Sequence, residues 1–167
     1  AGNSIVSGGN QNTLVGDEAG TALTTGDDNV AVGYAALSTD TLGLKSTAIG
    51  RAALASQNFT SATSTYNTAV GYQAGLLVTT GTNNTLIGGL AGDAITTALS
   101  ADTQGSRNVA IGYGALDDQN FTSATDSYNI GVGFAAGSGI TTGVQNTLIG
   151  GLAGDAITTA SNNTAVG

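Results

Sequence analysis

NTAVGYQAG (67–75) and NTLIGGLAG (84–92) hold the unit from which the whole chain is built. Each begins with Asn and runs through three residues of strand type, the last of them Val or Ile. A Gly closes the run, and an Ala stands three residues beyond it. Working outward from these two stretches, the opening pentapeptide recurs ten times. The copies are NSIVS (3–7), NTLVG (12–16), NVAVG (29–33), STAIG (46–50), NTAVG (67–71), NTLIG (84–88), NVAIG (108–112), NIGVG (129–133), NTLIG (146–150) and NTAVG (163–167). The closing glycines are Gly16, Gly33, Gly50, Gly71, Gly88, Gly112, Gly133, Gly150 and Gly167, so the spacing is 17 in most coils and 21 or 24 in the rest. A unit of this length is too short for a βαβ crossover, which needs roughly 30 residues. It suits one coil of a parallel β-solenoid, in which the chain returns one strand spacing further along. A longer period lies on top. NTLIGGLAGDAITTA occurs at 84–98 and again at 146–160, and QNFTSAT occurs at 57–63 and again at 119–125, both pairs sharing one offset. The expected architecture is therefore all-β, one repetitive domain over 1–167, with about ten coils of mostly 17-residue length.

Side chains alternate along a strand, so the second and fourth motif positions share one face and the third takes the other. The fourth position is Val or Ile in every copy: Val6, Val15, Val32, Ile49, Val70, Ile87, Ile111, Val132, Ile149 and Val166. Such a strict β-branched column is read as the inward-facing core. Ala19, Ala36, Ala53, Ala74, Ala91, Ala115, Ala136 and Ala153, three residues past the Gly, join it as a sterically limited column. The third position is apolar too, and a strand apolar on both faces needs cover on both. The coil interior supplies one cover, and sister chains in a symmetric oligomer supply the other. A second strand is expected at LTTG (23–26), VTTG (78–81), ITTG (140–143) and the two AITTA segments (94–98, 156–160). Its Leu23, Val78, Ile95, Ile140 and Ile157 point inward in this reading, and Thr24, Thr79, Thr96, Thr141 and Thr158 outward. The leading Asn of each motif serves as a turn residue or stacks as a ladder along the solenoid, the turn role being favoured.

Composition limits function. There is no Cys, His, Met, Trp or Pro, which removes disulfides, thiolate metal sites and the commonest general base. The net charge is −8, and the only cations are the scattered Lys45, Arg51 and Arg107, which argues against nucleic acid. No apolar run is long enough to span a membrane. The acidic pairs Asp17–Glu18, Asp27–Asp28 and Asp117–Asp118 match no calcium-loop spacing and read as solvated turn charge. The sequons at Asn58, Asn83, Asn120 and Asn162 are what chance gives in an Asn- and Thr-rich chain. No catalytic, metal or cofactor-binding residue is assigned, and the chain is read as a non-enzyme. The 21-residue coils carry QNFTSATSTY (57–66) and QNFTSATDSY (119–128), more than a minimal coil needs. Their Phe59, Tyr66, Phe121 and Tyr128 are candidate receptor-contact residues on a protruding loop. In the blander reading each Phe folds back to cap its own insert.

NTAVGYQAG (67–75), NVAIGYGAL (108–116) and STAIGRAAL (46–54) resemble the head repeats of trimeric autotransporter adhesins, and equally the related repeats of phage tail fibres and tail spikes. The resemblance implies a left-handed parallel β-roll, with three chains around one axis and the motif strand facing that axis. It further implies an extracellular place on a virion tail fibre or a bacterial surface, with a host glycan or protein as partner. The unit here is longer than the familiar adhesin repeat, and no anchor barrel, coiled-coil stalk or self-cleaving domain accompanies it, so the chain is expected to be a fragment of a longer fibre. Two other functions are compatible with the pattern: an ice-binding solenoid, suggested by the outward Thr row, and a trimeric tailspike glycan hydrolase.

Overall fold

A computed structural model of the protein describes residues 1–3, 9–93 and 103–167. Val6 of the first motif copy, and Ile95 and Thr96, lie outside the described residues. The elements are β1 (Thr13–Val15), β2 (Val30–Val32), β3 (Gly43–Leu44), β4 (Thr47–Ile49), β5 (Thr63–Ser64), β6 (Thr68–Val70), β7 (Thr85–Ile87), β8 (Thr103–Ser106), β9 (Val109–Ile111), β10 (Phe121–Asp126), β11 (Ile130–Val132), β12 (Thr147–Ile149) and β13 (Thr164–Val166). No helix occurs among the described residues. The motif strands form one nine-stranded parallel sheet, β1-β2-β4-β6-β7-β9-β11-β12-β13, with about eight turns of solenoid between its first and last members. Register is held position by position: Thr13 pairs Val30, Leu14 pairs Ala31 and Val15 pairs Val32, and the same triplet pairing repeats to β13. Each of the nine described motif copies, from 12–16 to 163–167, is thus one rung.

The strands are three residues long because glycine ends each of them. The closing glycine of each described motif has φ between 124° and 155°, a region closed to side chains. A Cβ on Gly50 would also sit 2.3 Å from the carbonyl oxygen of Gly71 in the next coil. Past this corner the residue two after the glycine is left-handed in every coil, from Glu18 to Leu152. So is the residue before each motif, from Gln11 to Asn162. The coil-to-coil ladder continues through these bends, with Gly33 N donating to Val15 O at 2.8 Å and Gly20 N to Ala36 O at 2.9 Å. A chain that commits its N–H groups this way leaves no place for proline.

The interior overturns the expected facing. The third motif position points inward: Ala31, Ala48, Ala69, Ala110 and Leu148 are fully buried. The fourth position points out of the coil. Val15, Ile49, Ile87, Ile111 and Ile149 are 38–56% exposed, and Val32, Val70 and Val132 are half-buried, so none of these eight belongs to the coil core. The physical reason is width. Ala36, Ala74 and Ala115, each fully buried, face the strand from across the coil and leave room for about one large side chain per level. A nine-rung column of Val and Ile would overfill it.

That large residue changes place along the stack and is missing from the Ala69/Gly75 and Gly131/Gly137 levels, where Leu54 with Leu86 and Leu116 with Leu148 reach in from the adjoining coils. Where the strand carries Leu, at Leu14, Leu86 and Leu148, the residue four past the closing glycine is Gly20, Gly92 or Gly154. A Cβ there would meet the leucine at 2.6–2.8 Å. Where the strand carries Ala31, Ala48 or Ala110, the leucine stands across the coil instead, as Leu37, Leu54 or Leu116. These three leucines hold φ of 49–52°, a backbone cost of roughly 1–2 kcal/mol that their complete burial offsets. A second swap follows three residues later. Coils with Gly at the fourth place carry aliphatic Leu23, Val78 or Ile140 there, all buried, whereas coils with Leu carry Asp40, Gln57 or Gln119.

Among the described residues the expected second strand is mostly absent, and the segment 94–98 lies outside them. The TTG segments bend and contribute single rungs, such as Thr24 N to Thr41 O at 3.0 Å and Thr141 N to Thr158 O at 2.9 Å. Among the described residues ladders form on this side beside the long coils, as β3–β5 and β8–β10. The leading asparagines do form a ladder. Asn146 N donates to Asn129 Oδ1 and Asn163 N to Asn146 Oδ1, each at 2.9 Å, while Asn129 Nδ2 returns to the carbonyl of Gly143 in its own coil at 2.7 Å. Asn29, Asn67, Asn129 and Asn146 each close their own coil and grip the next, which a free turn residue would not do.

Candidate interaction surface

The outer side of the nine-stranded sheet is where the sequence places its unexplained apolar groups. The fourth-position Val and Ile form one column on it, and the half-buried second-position residues Val30, Thr47, Thr68, Thr85, Val109, Ile130 and Thr147 form another. Just past the glycine corner a third column follows: Asp17, Tyr34, Arg51, Tyr72, Gly89, Tyr113, Phe134 and Gly151. Its aromatic members are 45–60% exposed. The in-register fold stacks them on one another. The Arg51 guanidinium lies 5.5 Å from the Tyr34 ring centre and 5.6 Å from that of Tyr72, and Tyr113 stacks on Phe134 at 5.8 Å. Tyr34 also donates to Glu18, whose carboxylate holds the phenol above its ordinary pKa. Sequence reasoning passed over this column. Aligning the residue after each closing glycine would have found it.

A parallel column runs along the left-handed residues before each motif. There Lys45 lies 5.2 Å from the ring centre of Tyr66, and Arg107 5.6 Å from that of Tyr128. Lys45 Nζ donates to Ser64 Oγ at 3.1 Å and to Tyr66 Oη at 3.3 Å, and this second bond draws the Tyr66 phenol below its ordinary pKa. Arg107 pairs instead with Asp126. All three cations of the chain therefore lie against tyrosine faces.

The four candidate contact residues divide. Tyr66 and Tyr128 are 54% and 47% exposed, within these cation–π pairs. Phe59 and Phe121 are only 7% and 5% exposed and do not protrude. The insert strands β5 and β10 hydrogen-bond back to β3 and β8, so each Phe folds under its own insert, and neither can serve as a receptor contact. Below them the core turns polar. Asp40, fully buried, accepts from Gly43 N at 3.0 Å, Phe59 N at 3.1 Å and Gln57 Nε2 at 2.6 Å. Gln57 reaches Ser46 Oγ at 2.8 Å and receives Asn67 Nδ2 at 2.8 Å.

The acidic groups hold no shared centre. Asp17 and Glu18 are exposed, as is Asp28. Among the described residues no three acidic side chains converge on a metal-sized site. Asp93 and Asp117 are the perturbed pair, both pushed up to about 6 by burial, with the Asp118 charge adding to the effect on Asp117. Their Oδ1 atoms, and Gln119 Nε2, lack hydrogen-bond partners among the described residues. Nearby, Gln119, Asn84, Asn108, Val78, Leu86 and Leu116 line a cavity of about 30 Å³. No family model, no curated protein and no solved structure matches the chain.

Proposed function

We propose that this chain is a structural and adhesive segment of a homotrimeric extracellular fibre, of the kind found in phage tail fibres or bacterial surface adhesins, which displays or extends a host-contact surface. The observation that carries the reading is the outward Val/Ile column, 38–75% exposed at Val15, Ile49, Ile87, Ile111, Ile149 and Val166 and continuous from rung to rung. Soluble chains rarely leave so long an apolar stripe in water without a partner. Nine rungs at about 4.8 Å give a stripe roughly 38 Å long, a straight seam against which identical copies dock in register. A stack of bonded rungs with no cysteine to oxidise suits a spacer exposed outside the cell. The ice-binding alternative draws no support from the Thr row, because Thr24 Oγ1 donates to Thr41 O at 3.0 Å and Thr141 Oγ1 to Thr158 O at 3.3 Å. Sedimentation equilibrium tests the proposal: the expected mass is three times the 16.1 kDa chain, and a stable 16.1 kDa species at micromolar concentration would falsify it.

A further inference from the structure

Among the described residues, the exposed large apolar side chains gather on one face of the stack. The fourth-position Val and Ile run down its middle. Tyr34, Tyr72, Tyr113 and Phe134 line one edge, just past the glycine corner, and Tyr66 and Tyr128 line the other, just before the motif. Leu152 lies one residue beyond the first edge. All three cations of the chain stand on the same two edges, Arg51 on the first and Lys45 and Arg107 on the second. On any rung the edges are about 20 Å of extended strand apart, so within one copy they do not touch each other.

The area of this face says how much of it a second copy covers. The three-residue strands alone are about 10 Å wide and roughly 38 Å deep in stack, about 380 Å². A stable interface covers about 800 Å² on each partner. Widening the face to both edges brings it to about 760 Å², so the edges belong to the contact. The two edges also match rung by rung. Tyr66 shares a rung with Tyr72, Tyr128 with Phe134 and Arg107 with Tyr113, whereas the amides Asn83 and Gln145 share rungs with Gly89 and Gly151. No contact inside one copy asks for this match. Copies related by rotation about an axis along the stack bring the second edge of one against the first edge of the next. Ring then meets ring, Arg107 meets a tyrosine face, and the ring-free rungs let the backbones approach. Lys45 and Arg51 share a rung, and each already lies over tyrosine rings of its own chain. We infer that a second copy of this chain docks along these edges, the residue before each motif meeting the residue after its neighbour's closing glycine on the same rung. The inference rests on the homo-oligomeric reading and goes beyond it in naming which edges meet.

The chain has no cysteine, so introduced thiols report contacts without background. Gln145 is exposed, and a Cβ added at Gly151 meets nothing within 4 Å. Gln145→Cys, Gly151→Cys and the double variant are treated with 1,2-bis(maleimido)ethane, a linker too short to join the two places within one copy. The expected result is covalent multimers of the double variant on denaturing electrophoresis, at least tenfold more than from either single variant, with circular dichroism unchanged. Asn83→Cys with Gly89→Cys repeats the test on another rung. Crosslinking of a single variant as strong as that of the double means that like edges meet, and overturns the inference. So does an oligomer whose double variants stay uncrosslinked. Sedimentation of the same samples separates the two readings: a three-chain particle without crosslinks sinks the edge pairing alone, and a crosslinked two-chain particle sinks the trimer alone.

Discussion

The two 21-residue coils, Ser46–Tyr66 and Asn108–Tyr128, both contain QNFTSAT, yet their interiors are finished differently. In the first, Ser46 Oγ meets Thr65 Oγ1 at 2.5 Å; in the second, the larger Asn108 takes the place of Ser46 and the smaller Ser127 that of Thr65, and they meet at 2.8 Å. At the surface Lys45 with Ser64 becomes Arg107 with Asp126, and the Arg51–Tyr72 pair becomes the Tyr113–Phe134 stack. Each exchange keeps the partnership while changing its chemistry. The exception is the buried glutamine. Gln57 is fully bonded through Asp40, Ser46 and Asn67, whereas Gln119 Nε2 has no partner among the described residues, and the position matching Asp40 lies outside them. The comparison teaches how a polar group is kept in a thin core: the preceding coil supplies its complement, as Asp40 does for Gln57.

The largest expected effect is common to both coils and sets the baseline. Gly50→Ala and Gly112→Ala each drive a Cβ to 2.3 Å from the next coil's carbonyl at a positive φ. Each is expected to cost about 3 kcal/mol or more in urea unfolding; clearly unequal losses would break the equivalence of the rungs. The next experiment separates the coils. Asp40→Ala strands Gln57 and two backbone N–H groups and is expected to cost about 2–4 kcal/mol. Gln119→Leu removes an amide whose Nε2 has no partner among the described residues and is expected to be neutral or stabilising by about 1 kcal/mol. A comparable loss from both would erase the contrast.

A pH titration sharpens it further. The carboxyls of Asp93 and Asp117 titrate near 6 in the folded chain, above their ordinary value, so the fold binds more protons than the unfolded chain between pH 4 and 6. The stabilisation is fully present below about pH 4 and is lost as pH rises through 6. Discounted for solvent screening, Asp93→Asn is expected to gain on the order of 1–2 kcal/mol at pH 7.5 and nothing at pH 4. Thermal melts at the two pH values check this, and a gain at both would assign the effect to packing instead. The smallest effect is at the surface. Arg51→Ala and Tyr113→Ala are each expected to cost about 0.5–1 kcal/mol, with only the first reduced by 1 M salt.

The repeat and the solenoid were legible because spacing and register are properties of the chain alone: the Val/Ile–Gly signature recurs and each copy becomes a rung. Facing was not legible from the motif. Alternation says which residues share a side, and the assumption that the strictest β-branched column lies inside failed because Ala36, Ala74 and Ala115 narrow the coil. The clue lay elsewhere, in the exchange of Leu and Gly between positions such as Leu14/Gly20 and Ala31/Leu37, which marks two residues sharing one volume. The second strand was misjudged because LTTG and its relatives have strand composition, whereas left-handed residues such as Asp28 and Asn83 turn the chain before a ladder can lengthen. Phe59 and Phe121 looked like surface residues only because the pairing of β5 with β3 and of β10 with β8 joins segments from successive coils, a relation that local sequence does not display.

The bonds that join one coil to the next all run along the axis of the stack, from Thr13 N to Asn29 O at one end to Gly167 N to Ile149 O at the other. Tension on such a rod passes through every junction in series, so the weakest one sets its breaking force. Neighbours bundled alongside would carry the load past that junction as shear.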